Sequence, residues 1–141
     1  MTDLQIDITV HIARLPVDVF AAWSSAAALA SWFAPMAERK PDVEMDFRVG
    51  GAYSIVMPLP DGSVHTTKGI FRDIVSNRKI VMTWRCDAFN DPESLVEVTF
   101  TRSGDGTDLR VRHWSFEASE TCDAHRGGWE ACLGALARLL A

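Results

Sequence analysis

From Pro41 to Phe116 the apolar residues recur at every second position, and no other feature limits the possible folds as strongly. Period two puts successive side chains on opposite faces of a strand, so such a stretch reads as a series of half-buried strands that need an apolar cover. Val43, Met45 and Phe47 alternate with Glu44, Asp46 and Arg48. Turn signals then cut the run. Gly50-Gly51 precedes Tyr53, Ile55 and Met57, and Pro60-Asp61-Gly62 precedes a strand through Gly69, Phe71 and Asp73. Ser76-Asn77 leads into Ile80, Met82 and Trp84, and Asn90-Asp91-Pro92 into Val96, Val98 and Phe100. Gly104-Asp105-Gly106 closes a hairpin onto Leu109, Val111 and His113.

The flanks have other periods. Ile6, Ile8, Val10 and Ile12 alternate with polar residues, which predicts one more strand at the start. Pro16 suits the first turn of a short helix carrying Val19, Phe20 and Trp23, with Asp18 near its positive end. Ser24 or Ser25 can cap a second short helix carrying Leu29, Trp32 and Phe33, stopped before Pro35. At the other end Trp129, Cys132, Leu133, Leu136 and Leu140 make one stripe of a long helix, with Ser119 as its expected N-cap.

The expected fold class is therefore α+β, a curved seven-stranded antiparallel sheet around a long C-terminal helix, with two short helices between strands 1 and 2. The 141 residues are expected to form a single domain. A sheet of that many strands twists and curls, and one helix laid along it leaves a gap where a ligand fits.

Charge and composition exclude several functions. Fourteen Lys and Arg against nineteen Asp and Glu give a net charge of −5, and the cations are scattered, Arg39 and Lys40 following Glu38. Without a basic stripe, nucleic acid is not an expected partner. No apolar run is long enough to cross a bilayer, and Met1-Thr2-Asp3-Leu4 lacks the basic and apolar regions of a signal peptide, so neither membrane nor export is expected. Cys86, Cys122 and Cys132 are odd in number and read as reduced thiols of a cytoplasmic protein. Cys122-x-x-His125 has metal-ligand spacing, but a zinc site needs three or four ligands and His113 is the sole further candidate; no metal or cofactor is expected. Gly50-Gly51 lacks the rest of a phosphate loop, and no G-x-S-x-G elbow is present.

Five tryptophans in a chain this short demand a thick core or a lined cavity. Trp84 shares a strand face with Met82, and Tyr53 with Met57, while Trp32, Phe33, Phe71 and Trp129 can approach the same space, with Leu133 on the helix stripe. Any single ring is ordinary core; together they outline a ligand-binding cavity. His113 is in phase with Leu109 and Val111 and so points inward, where an imidazole needs a partner. A satisfied structural histidine is the ordinary reading; orienting a ligand is the functional one. Asp46 and Arg48 fall opposite Phe47, as an outward pair. Gly127-Gly128 either precede the regular helix, or allow close sheet contact, or make room in the cavity.

Several short patterns recur in order: Pro16-x-x-Val19-Phe20-x-Ala22, Ser31-Trp32-Phe33-x-Pro35, Asp46-Phe47-Arg48-x-Gly50-Gly51, Pro60-Asp61-Gly62 and Gly69-x-Phe71. Thr83-Trp84, Val96-x-Val98-Thr99-Phe100, Gly106-Thr107-x-Leu109, His113 and His125-x-x-Gly128-Trp129 complete the series. Taken together, from about Ile8 to the C-terminus, the chain resembles the START-like, SRPBCC superfamily, in the branch named for homology to the heat-shock ATPase activator. The resemblance implies a helix-grip fold of the polyketide cyclase-like kind, a structural role for His125, and close packing at Gly128 beside Trp129. It also implies a small hydrophobic or aromatic molecule as partner, held between sheet and last helix, with His113 or Tyr53 orienting one polar group. The alternative is a cyclase or dehydratase using His113 or Tyr53 as acid or base; a second is a module acting on a chaperone ATPase in a stress response. A homodimer is left open.

Overall fold

A computed structural model describes residues 4–35, 37, 39–88, 93–116 and 118–141. The expected turn Asn90-Asp91-Pro92, Glu38 and the first three residues lie outside the described residues. The elements run β1 (Ile6–Ile12), α1 (Pro16–Ala21), α2 (Ala26–Ala30), β2 (Asp42–Met45), β3 (Ala52–Pro58), β4 (Val64–Val75), β5 (Lys79–Cys86), β6 (Ser94–Ser103), β7 (Gly106–Trp114) and α3 (Ser119–Leu139). The seven strands form one sheet in the order β1-β7-β6-β5-β4-β3-β2, and every ladder is antiparallel. This is the α+β arrangement expected from the periods, and the helix-grip fold that the resemblance implies.

The chain reaches β7 through a meander of hairpins, whose turns carry the residues that tolerate left-handed backbone: Gly62, Asn77 and Gly104 have φ of +90°, +63° and +61°. The first strand, β1, lies at the edge of the sheet beside β7, with Ile8 opposite Val111 and Val10 opposite Leu109. That register gives one apolar face, on which α3 packs, and one polar face, on which Arg110 binds the Asp7 carboxylate at 2.8 and 2.6 Å. Exposed pairs of this kind add only about 0–1 kcal/mol each, so the apolar face carries the stability. Arg48 Nε meets Asp46 Oδ2 at 2.7 Å, also outward.

Three local expectations need correction. The second short helix ends at Ala30, so Trp32 and Phe33 lie beyond it rather than on it. The chain tightens there, with the Trp32 and Phe33 amides both turning to the Leu29 carbonyl, and Ala34 at φ +54° swings the backbone away before Pro35. Both rings thereby drop into the core instead of following a helical stripe. Ser119 is the first residue of α3, not its cap; Ala118 holds the cap position and no side chain bonds there. Gly127 and Gly128 lie inside α3, well past its start.

Candidate functional site: a groove between the sheet and the last helix

The core changes character along the sheet. On β6, β7 and β1 the inward residues Val96, Val98, Leu109, Val111 and Ile6 are wholly buried, and Leu133 and Leu136 of α3 are buried with them. Toward β3 and β4 the fill becomes aromatic. The rings of Trp84 and Trp129 lie 5.2 Å apart, and Phe33 meets Trp129 edge-on at 5.9 Å. These three rings divide the remaining space in two. Inside them is a void of about 20 Å³, room for little more than a water, which Tyr53, Phe71 and Met82 also line. Outside them is a groove of about 280 Å³ between β3–β5 and α3.

The floor of the groove is Phe33, Ala34, Thr67, Trp84, Trp129 and Cys132, all buried. Its mouth is formed by Met57, Leu59 and His65 from the β3–β4 hairpin and by Ala124, His125 and Gly128 from α3, all half-buried or exposed. Among the described residues no Asp, Glu, Lys or Arg lines it. The opening exists because of what α3 leaves out. Ala124, Gly128 and Cys132 follow one another at four-residue spacing on the same helix face, so small side chains meet the sheet where Leu133 and Leu136 fill it elsewhere. A β-carbon placed on Gly128 would touch nothing within 4 Å. The expected close packing at Gly128 is therefore corrected: its missing side chain is space in the groove. Close approach occurs at Gly69 instead, where a β-carbon would strike the Tyr53 ring and the Thr83 carbonyl.

His113 sits behind the floor, fully buried, and both its ring nitrogens are engaged. The Trp129 indole N–H donates to Nδ1 at 3.1 Å, so Nδ1 carries no proton and Nε2 does. Nε2 lies 2.7 Å from the Ser94 hydroxyl, which itself donates to the Trp84 carbonyl at 3.0 Å. Burial, with nearby His125 adding repulsion, pushes the His113 pKa from 6.5 down to about 2. His113 is thus a neutral structural histidine that locks Trp129. Tyr53 is committed as well: its hydroxyl donates to the Thr83 carbonyl at 2.5 Å, and burial, reinforced by Glu93, raises its pKa well above the usual phenol value. The two groups expected to orient a ligand or move a proton are engaged by the fold itself.

Of the residues chosen from sequence, Phe33, Met57, Trp84 and Trp129 meet at the groove, while Tyr53, Phe71 and Met82 line the inner void. Trp32 and Leu133 line neither; the Trp32 indole is spent on the Ala22 carbonyl at 2.9 Å, and Leu133 is solid core. Sequence reasoning missed His65, Thr67, Cys86 and Ala124. The signal for the first three was available, since they continue inward the alternation of Gly69-Phe71 and of Trp84. His125 donates from Nδ1 to the Thr121 carbonyl one turn back, at 2.9 Å. Cys132 accepts from the Ala34 amide at 3.3 Å, and burial pushes its thiol up to about 11, which makes it a poor nucleophile. Among the described residues no group of three His, Cys, Asp or Glu could hold a metal, and no helix is long and apolar enough to cross a membrane.

Residues 15–141 match the family described as Activator of Hsp90 ATPase homolog 1-like protein. The chain belongs to that family. Among solved structures, a Chromobacterium violaceum protein is 25% identical, with a TM-score of 0.79 over 96% of each chain. An uncharacterised Rhizobium leguminosarum protein is 28% identical, with a TM-score of 0.78 over 96% of this chain and 93% of that one. An Hsp90 activator from Plasmodium falciparum is 24% identical, with a TM-score of 0.75 over 96% of this chain and 95% of that one, a likeness of fold alone. No curated protein matches the sequence. Membership of the Hsp90-activator-homologue family fits the sheet, the grip of α3 and the cavity plan between them.

Proposed function

We propose that the protein binds a small, mostly hydrophobic molecule in the groove between β3–β5 and α3, as a cytoplasmic carrier or sensor acting as one domain. The observation that carries this is a groove of about 280 Å³ with an aromatic floor, a mouth open between a hairpin and the small residues of α3, and no Asp, Glu, Lys or Arg on its walls among the described residues. A cavity of about 150 Å³ is known to hold one benzene, so a molecule of about two fused rings matches this space. Burying about 200 Å² of such a ligand at ~25 cal/mol per Å² gives about 5 kcal/mol, a Kd of roughly 0.2 mM before any polar contact is added. Mass spectrometry of the purified protein under native and then denaturing conditions tests it: an unchanged small molecule released on denaturation supports the reading. Protein that carries nothing and takes up no naphthalene-class compound overturns it.

A second reading draws on the family description and on the Plasmodium activator, namely contact with an Hsp90-type chaperone. It needs a surface outside the groove, and Leu15, Val17 and Val75 are among the exposed large apolar residues there. Pull-down with an Hsp90 middle domain, unaffected by groove ligands, is its test.

A further inference from the structure

Two residues of the groove floor carry a buried hydrogen-bond donor with no partner among the described residues. The Thr67 hydroxyl and the Trp84 indole N–H are buried and make no hydrogen bond among the described residues, although Thr67 and Trp84 are 1% and 5% exposed. Both residues line the groove. They stand on neighbouring strands: Thr67 of β4 pairs with Cys86 of β5, so Trp84, two residues earlier, is its diagonal neighbour on the same inward face. An unmet donor inside a protein is destabilising, and native folds retain few of them without a reason. The contrast with the surrounding rings is informative. Trp129 and Trp32 each have a partner for the indole nitrogen, and Tyr53 has one for its hydroxyl; the Trp23 indole N–H and the Arg112 Nε–H are also unmatched among the described residues, but neither residue lines the groove.

Resting on the groove being a binding site, we infer that its ligand is a neutral aromatic carbonyl compound whose oxygen is received by Thr67 and Trp84. An indole N–H can only donate, and a threonine hydroxyl can donate while accepting elsewhere, so the complementary group is an acceptor. A carbonyl oxygen has two lone pairs and can take both donors at once. A carboxylate is disfavoured, because among the described residues no Lys or Arg lines the groove and an unpaired buried charge is costly. The fused rings lie over Trp129 and Phe33, and the carbonyl edge points to the β4–β5 side of the floor.

The experiment uses three probes of one shape: acetylnaphthalene, its isostere isopropenylnaphthalene in which a methylene replaces the carbonyl oxygen, and naphthoic acid. Kd values are measured by quenching of tryptophan emission for the wild type, Thr67→Val and Trp84→Phe. Thr67→Val keeps the side-chain shape and removes the unmet hydroxyl, so it folds at least as stably as the wild type. The ratio of hydrocarbon to ketone Kd should fall by about two- to tenfold in each variant relative to wild type, the ordinary worth of one hydrogen bond. A ratio unchanged in Thr67→Val, with both neutral probes still bound, overturns the carbonyl inference and leaves the groove reading intact. Naphthoic acid binding more tightly than the ketone overturns the neutral class. Failure of all three probes to bind overturns the groove reading and this inference together.

Discussion

The two ends of this sheet are written in the same alternation and are filled differently. At β6, β7 and β1 the inward positions are mostly branched aliphatic residues, buried with Leu133 and Leu136 of α3, and no residue of these strands lines the void or the groove. At β3, β4 and β5 the inward positions mix aromatic and polar residues with aliphatic ones, and α3 meets them with Ala124, Gly128 and Cys132, which leaves a groove of about 280 Å³. The difference lies less in the sheet than in the helix that covers it. A curled sheet gripping one straight helix can be packed solid at one end and left open at the other by exchanging large for small residues at four-residue spacing on that helix.

Trp129 stands at the boundary and is the position whose loss tests the comparison hardest. Its ring touches both spaces and its indole N–H is bound to His113, so Trp129→Ala should cost about 3–5 kcal/mol in a denaturant melt. A cost below about 1 kcal/mol would mean that the ring belongs to the open end and not to the solid one. His113 belongs to the solid side. His113→Phe leaves the Trp129 N–H without its acceptor and Ser94 without its imidazole partner, so a loss of about 1–3 kcal/mol is expected, with groove binding changed little in the protein that still folds. A variant of full stability that fails to bind would return His113 to the ligand.

Acid sharpens the same point. The imidazole is held neutral in the fold, its pKa pushed from 6.5 to about 2, so between those values the unfolded chain takes up a proton that the folded chain refuses. Stability on this account is complete above about pH 6.5 and falls as pH drops toward 2, by roughly 1 kcal/mol per pH unit. Asp7 and Asp61 have lowered pKa values, so their stabilisation is lost only at more acidic pH, below the ordinary carboxylate value of 3.8. His113→Phe should flatten the profile between pH 6.5 and the carboxylate range, and an unchanged slope would contradict a neutral buried imidazole. The smallest effect is expected at the open end. Gly128→Ala places a methyl in empty space within a helix and should stabilise by about 1 kcal/mol, whereas closely packed backbone there would make it destabilising.

The order of elements along the chain, the antiparallel sheet and the long final helix were legible in the sequence because period two and period 3.6 are direct consequences of strand and helix geometry; the pairing of β1 with β7 was not. The inward direction of His113 followed from the same rule. Its function did not, since alternation says which way a side chain points and not what it meets; Ser94 and Trp129 come to it from β6 and α3. The groove was foreseen as a gap along the helix, but its place was not. That depends on Gly128, whose open surroundings contradict the close packing implied by family resemblance, and on Thr67, whose inward direction the alternation gives but whose place on a cavity floor it does not. Trp32 was expected in the cavity beside Phe33; both lie beyond α2, but Phe33 reaches the groove while the Trp32 indole turns to the Ala22 carbonyl.

The most direct test of the account is a matched pair of substitutions on α3, titrated with acetylnaphthalene by calorimetry. Gly128 faces the groove and Gly127 beside it is exposed and does not line it. Gly128→Leu should fold with a melting temperature at or above that of the wild type and lose binding by more than tenfold, because the new side chain occupies the ligand's space. Gly127→Leu should gain a similar helical stabilisation and bind as the wild type does. Equal binding by both variants would contradict the claim that the groove between α3 and the sheet is where the protein holds its ligand.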